Sequence, residues 1–311
     1  IRELISRPFE LKRDYMLRAT LIPVSAEQNV LVVTLHHIAS DGWSTSVLVR
    51  EMVELYNSDI EHREAELKQP EIQYCDYAIW QRQYLQGELL ERKLEYWKQK
   101  LEGSTPLELQ TDYPRGAIQS TRGAGSHMSI GKEVLEGLNK ISQRQGTTMF
   151  MTLLGALKVL LYRYSRQRDI SIGTPIAGRQ QKEVEDLIGF FINTLVLRTE
   201  IDPDKGFTQL LEQIRTTTLE AYQHQEAPFE KVIERVVKQR DLSRSPLFQV
   251  MFVYQNTPEV GELRLGDIEL KQGSVINGSS KFEISLSITD HPEGMTCSIG
   301  YNTELYSEVF I

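Results

Sequence analysis

Cysteine is almost missing from this chain: Cys75 and Cys297 are the only two in 311 residues. Two isolated thiols supply neither a disulfide framework nor a Cys-rich metal site, and they fit a reducing, cytoplasmic setting. Long hydrophobic runs are also missing. No apolar stretch reaches the roughly 20 residues that span a bilayer, so a membrane is not an expected partner. Nor is there a basic run: 35 Lys and Arg stand against 43 Asp and Glu, a formal net charge of −8. That balance lacks the electrostatic footprint of a nucleic-acid-binding module and is accounted for by solubility. What is present is 40% hydrophobic residues, enough for a large core and better suited to two domains than one. The chain opens on Ile1-Arg2-Glu3-Leu4-Ile5, a helix-like phrase met in its middle. The expectation is an excised piece of something longer.

Strands are predicted at 15–24 and 29–35, joined by the polar turn Ser25-Ala26-Glu27-Gln28. A helix is predicted at 43–57, where Val47, Leu48, Met52, Leu55 and Tyr56 recur at helical spacing. The polar residues 58–70 read as a loop closed by Pro70, and 74–101 as one long helical region. Residues 103–126 carry six Gly or Pro, which marks an interdomain linker. Beyond it, helices are predicted at 132–145, 148–165, 206–223 and 228–239. Strands are predicted at 126–130, 169–174, 189–200, 247–254, 264–270, 281–290 and 295–301. Strands mixed with helices on both sides of the linker argue for a two-lobed α/β protein.

Chemistry concentrates in residues 35–44, Leu-His-His-Ile-Ala-Ser-Asp-Gly-Trp-Ser, where a β-branched strand hands over to a helix. Alternation along a strand sends His36 and His37 to opposite faces, so one is packed and the other is free to react. A neutral imidazole can accept a proton from a nucleophile or orient it. Asp41 can fix the turn by pairing with a buried Arg, Gly42 lets the backbone turn and a substrate approach, and Ser44 can cap the following helix. Helical zinc pairs place His at i and i+4, and no Cys or further His falls at a useful spacing, so no metal is expected. Spacing alone leaves the reactive and the purely structural readings of the two histidines both open.

The stretch Leu35 to Ser44 resembles the His-motif of condensation domains of nonribosomal peptide synthetases. Four further segments resemble that family's later motifs, in order. They are Tyr74-Cys75-Asp76-Tyr77-Ala78-Ile79-Trp80, Ile188-Gly189-Phe190-Phe191-Ile192-Asn193-Thr194-Leu195, His224-Gln225-Glu226-Ala227-Pro228-Phe229-Glu230, and Arg240-Asp241-Leu242-Ser243-Arg244-Ser245-Pro246-Leu247-Phe248. Five ordered motifs are far more specific than a lone His-x-x-x-Asp.

The resemblance implies an α/β fold of two chloramphenicol-acetyltransferase-like lobes in a V-shaped pseudo-dimer, with a tunnel between them. The family's two motifs upstream of the His-motif are absent, so the first lobe is expected to be incomplete. The implied division is 1–113 for the remainder of the N-terminal lobe, 114–125 for the linker and 126–311 for the C-terminal lobe. The implied reaction joins an upstream carrier-bound acyl or peptidyl thioester to the α-amine of a downstream carrier-bound aminoacyl thioester. The implied partners are both peptidyl carrier domains and an adjacent adenylation domain. Phosphopantetheine comes with the carriers, and no cofactor is bound by this domain. The implied catalytic set is His37, Asp41 and Gly42, with Asp41 holding the loop through Arg179. His36, Arg179, Trp43 and Ser44 take support roles; Tyr74, Trp80, Asn193 and Gln225 are tunnel-lining or substrate-lining candidates. The segment details are nearest the subtype that joins two L-residues, and intact His36 and His37 argue against heterocyclisation. The alternatives are a carrier-docking or gating domain without catalysis, an epimerisation domain, and a coenzyme A-dependent acyltransferase.

Overall fold

The computed structural model describes residues 1–255, 264–271, 273 and 278–311. The described elements run α1 (Arg2–Ser6), β1 (Leu17–Pro23), β2 (Asn29–Leu35), α2 (Gly42–Ile60), α3 (Tyr74–Tyr84), α4 (Gly87–Leu101) and β3 (Gly123–Gly131). They continue through α5 (Lys132–Gln145), α6 (Met149–Ser165), β4 (Asp169–Ile176), β5 (Asn193–Glu200), α7 (Phe207–Gln223) and α8 (Phe229–Val236). The last are β6 (Val250–Gln255), β7 (Arg264–Leu265), β8 (Ile268–Glu269), β9 (Ile284–His291) and β10 (Gly294–Asn302). The α/β class expected from the sequence is the class that forms. Among the described residues, no helix is long and apolar enough to cross a membrane.

Two compact units divide the chain. The first holds residues 1–84, 177–192 and the described residues within 260–272. It contains the antiparallel pair β1–β2, in register from Leu17 opposite Leu35 to Pro23 opposite Asn29. Helix α2 starts where it does because Asp41 is its N-cap, extended at φ −130°, its carboxylate accepting the Ser44 N–H at 2.8 Å. A small core of Tyr77, Val184, Leu187 and Phe191 gathers α3 and the segment 177–192.

The second unit contains a six-stranded mixed sheet in the order β3-β10-β9-β6-β4-β5. The β4–β6 and β6–β9 pairings are parallel and the others antiparallel. Near-continuous apolar runs such as Ile170 and Ile172 on β4 and Val250 to Phe252 on β6 make these strands central, and they are buried accordingly. Leu153, Leu154 and Leu157 of α6 and Leu210 and Ile214 of α7 complete that core. Lys158 is fully buried within the second unit, its ammonium donating to the Ile170 carbonyl at 2.9 Å and the Leu197 carbonyl at 2.6 Å.

Several expectations are corrected. Residues 74–101 form two helices, broken at Gly87, which takes φ +56°. The strand predicted at 189–200 begins only at Asn193, because the backbone of 189–191 is bonded to side chains of α2, α3 and the turn before α2. Residues 264–270 make a two-stranded hairpin turning at Gly266, φ +58°. The division at 113 and 125 does not coincide with the compact units. Leu94, Trp97, Leu101, Leu107 and Leu109 are buried in the core of the second unit, and Arg115 binds Glu283 there through both carboxylate oxygens at 2.7 and 2.9 Å. Gly and Pro content read as a linker is therefore an ordered, packed stretch of the second unit.

Candidate functional site

His36 and His37 lie just past the end of β2, in a turn closed by the Ala39 N–H on the His36 carbonyl at 3.0 Å. Strand alternation does not separate them, yet they are separated. His36 is half-buried, edge-on to Phe9 at 5.6 Å, and its Nδ1 accepts the Ile38 N–H at 3.0 Å. His37 is exposed, and its Nδ1 lies 2.6 Å from the Ser40 carbonyl. A carbonyl only accepts, so Nδ1 carries a proton, and in the neutral ring Nε2 presents its lone pair. The Phe190 ring packs edge-on against the imidazole, centroids 5.2 Å apart at 83°.

Asp41 is saturated. Its Oδ1 accepts from the Ser44 N–H and hydroxyl, both at 2.8 Å, and from Arg179 at 3.2 Å. Its Oδ2 accepts the Phe191 N–H at 3.0 Å. The Asp41 and Arg179 side chains are only 2% and 1% exposed. Burial alone would push the carboxyl pKa up. The Ser44 and Phe191 N–H groups, the Ser44 hydroxyl and the Arg179 charge outweigh it and hold the carboxyl below its ordinary value. Burial likewise draws the Arg179 pKa down against the pull of Asp41. All of these carboxylate bonds go to the loop framework.

Arg179 fans out from this pair. One Nη donates to the Val184 carbonyl and, at 2.7 Å, to the Leu187 carbonyl; the other reaches Asp41 and, at 2.8 Å, the Ser44 hydroxyl. Its guanidinium stacks 4.0 Å from the Phe191 ring centroid. Gly178, at φ +67°, must be glycine for this to happen, since a Cβ there would stand 2.0 Å from the Phe191 carbonyl oxygen. Ser44, also buried, accepts from the Gly189 N–H at 3.0 Å and has the Gly189 carbonyl at 2.9 Å. Trp43 donates its indole N–H to the Glu185 carbonyl at 2.8 Å. Tyr74 donates its hydroxyl to the Phe190 carbonyl at 2.8 Å, and burial, then the nearby Asp41 charge, raises its pKa.

Gly42 needs no special conformation: its φ is not left-handed, and a Cβ on it would meet nothing within 4 Å. The turn attributed to it is made by Asp41 instead, and what glycine leaves here is open space at the first turn of α2. Trp80 stacks on Tyr84, centroids 5.0 Å apart, and lies 5.7 Å from the Tyr77 ring, which packs on Phe191. Asn193 and Gln225 belong to the second unit. There the Asn193 amide donates to the Gln225 and Ala227 carbonyls, both at 2.8 Å, and accepts the Phe229 N–H at 3.1 Å. It thereby ties β5 to the start of α8. A cleft of about 480 Å³ in the same unit is lined by Tyr96, Lys100, Asp169, Arg198 and Glu200. Arg198 is paired with Asp169 and Lys100 with Glu220, and none of the candidate residues lines it. Among the described residues, no three His, Cys, Asp or Glu side chains gather as a metal site.

Sequence reasoning missed Phe190, which touches His37 across 153 positions of chain. Its only signal was membership of a motif-like segment. Nothing in the spacing of the residues connects positions 37 and 190.

The fold has solved counterparts. Over 99% of this chain and 71% of the other, it superposes on the X-domain from teicoplanin biosynthesis with a TM-score of 0.89 at 26% identity. A four-domain nonribosomal peptide synthetase bound to AMP and glycine shares the fold with a TM-score of 0.87 at 23% identity, covering 97% of this chain and 24% of that one. The family model of the condensation domain matches residues 1–311, and the chain belongs to that family. It is 45% identical over 306 residues to a linear gramicidin synthase protein of Brevibacillus parabrevis. It is 39% identical over 303 residues to a plipastatin synthase protein of Bacillus subtilis (strain 168). Each alignment covers 97% of this chain but only 6% and 8% of those proteins.

Proposed function

We propose that this chain forms a peptide bond between two carrier-bound substrates, with His37 as the residue that meets the attacking amine. The observation that carries the reading is the His37 imidazole, its Nδ1–H fixed on the Ser40 carbonyl and its Nε2 free in an exposed ring. The downstream α-amine attacks the upstream thioester carbonyl. The new C–N bond forms, the C–S bond breaks, and the upstream thiol leaves. An α-amine has a pKa of about 8, so it loses a proton easily as positive charge develops on nitrogen. Nε2 orients the amine and accepts that proton, which returns to the leaving thiolate. The open space beside Gly42 and the N-terminus of α2 suit the approach of a carbonyl whose oxygen gains negative charge. Phosphopantetheine arms come with the carriers, and the adenylation domain that loads them is the third partner.

Dipeptide formation from two loaded carriers is the test. The parent chain should turn over, and His37→Ala should lose about 10²- to 10⁴-fold in rate while staying folded. Turnover with a soluble acyl thioester but never with carriers would overturn the assembly-line reading. Carrier binding without any amide formation would favour docking or gating.

A further inference from the structure

Three consecutive residues, Gly189, Phe190 and Phe191, are pinned by their backbones. Gly189 is held at its N–H by the Ser44 hydroxyl, Phe190 at its carbonyl by the Tyr74 hydroxyl, and Phe191 at its N–H by Asp41. Gly189 is pressed so closely that a Cβ would stand 2.2 Å from the Tyr74 ring. The Phe191 ring turns into the small core with Tyr77, while Phe190 keeps 39% of its surface exposed. Burial therefore does not explain the Phe190 side chain, whereas its edge-on contact with the His37 imidazole does. His37 itself is exposed and, among the described residues, its ring makes one hydrogen bond, from Nδ1, which restrains rotation about its side-chain bonds at a single point.

We propose that Phe190 is a positioning residue for His37, and that the buried Asp41–Ser44–Arg179 cluster and Tyr74 act on the imidazole through it. The cluster fixes the backbone of 189–191, the backbone fixes the Phe190 ring, and the ring supplies the second restraint that aims Nε2. This rests on the reading of His37 given above, but its structural part stands independently.

The test compares Phe190→Ala, Phe190→Leu, Phe190→Tyr and Tyr74→Phe in the full chain. Two readouts are taken: steady-state condensation between loaded carriers, and the side-chain resonances of isotope-labelled His37. Phe190 is partly exposed, so the variants are expected to fold. In Phe190→Ala, kcat should fall about two- to tenfold, the worth of one aromatic contact, with KM unchanged. The His37 Nδ1–H should exchange faster with water and its ring signals broaden. Phe190→Tyr should restore both readouts and Phe190→Leu neither. Tyr74→Phe should shift both in the same direction, by less. Unaltered His37 signals in Phe190→Ala would overturn the proposal. So would a raised KM at constant kcat with unaltered signals, which would make the ring a substrate contact. If the parent chain forms no amide, the proposed function fails, and the resonances alone decide the role of Phe190.

Discussion

Replacing Asp41 by Ala removes the group on which the loop is assembled. The helix N-cap is lost, which costs about 1 kcal/mol. The Phe191 N–H loses its acceptor, about 1–3 kcal/mol for a buried donor. The larger effect is on Arg179. Its side chain is 1% exposed, and the guanidinium would be left buried without its counter-charge, a defect that costs about 3–5 kcal/mol. These effects share partners and do not add, so about 3–5 kcal/mol is the expected loss, a large part of the stability of an ordinary domain. Arg179→Met should cost a comparable amount by stranding the carboxylate. The double variant should lose clearly less than the two single losses together. Urea unfolding gives the energies, and hydrogen exchange at the Phe191 amide reports the loop directly. Single losses below about 1 kcal/mol, or strictly additive ones, would refute the coupling. Exchanging the two charges is not expected to rescue the loop. The Ser44 and Phe191 N–H groups both point at position 41 and demand an acceptor there. The pH dependence has a definite sign. The folded-state pKa of Asp41 is lowered, so its contribution is fully present above the unfolded value near 3.8 and is lost as pH falls through the folded value. The acid limb of stability below about pH 4 should be shallower in Asp41→Asn.

His36→Ala should mainly lower stability, by removing the ring packed on Phe9 and the acceptor of the Ile38 N–H, with turnover per folded molecule retained. A folded but inactive His36→Ala beside a fully active His37→Ala, both read by dipeptide formation, would reverse the assignment of the two histidines. Lys158 links the stability of the second unit to pH. Burial depresses its pKa from 10.5 to about 7. The unfolded chain therefore binds more protons between these values, and stability should rise as pH increases from about 7 toward 10.5. Lys158→Met should flatten that rise, as measured by urea unfolding at several pH values. An unchanged slope would show that Lys158 is not its source.

Most of the elements of the chain were legible because their signals are local. Hydrophobic periodicity located α2, α5, α6 and α7, and β-branched runs located β1, β2 and β4. At the start of α2 the miss is less than one turn: Ser44 is the cap the sequence suggests, and Asp41, three residues earlier, is the cap that forms, accepting the Ser44 N–H. The larger errors fell where a distant partner decides. A Gly- and Pro-bearing stretch resembled a linker until Leu107, Leu109 and Arg115 found their places in the second unit. Residues 189–192 resembled the start of a strand until Ser44, Tyr74 and Asp41 took their backbone groups.

The same division holds for the His-His-x-x-x-Asp-Gly turn. The sequence by itself determined that two imidazoles, a carboxylate and a serine hydroxyl stand at a strand-to-helix junction. Tertiary structure alone decided which imidazole is exposed, that the Asp41 carboxylate is bonded to the loop framework, and that Phe190 rests on His37. Spacing along a chain encodes only contacts a few residues apart. A hydrogen-bond donor or a ring edge arriving from a distant part of the chain leaves no period to read.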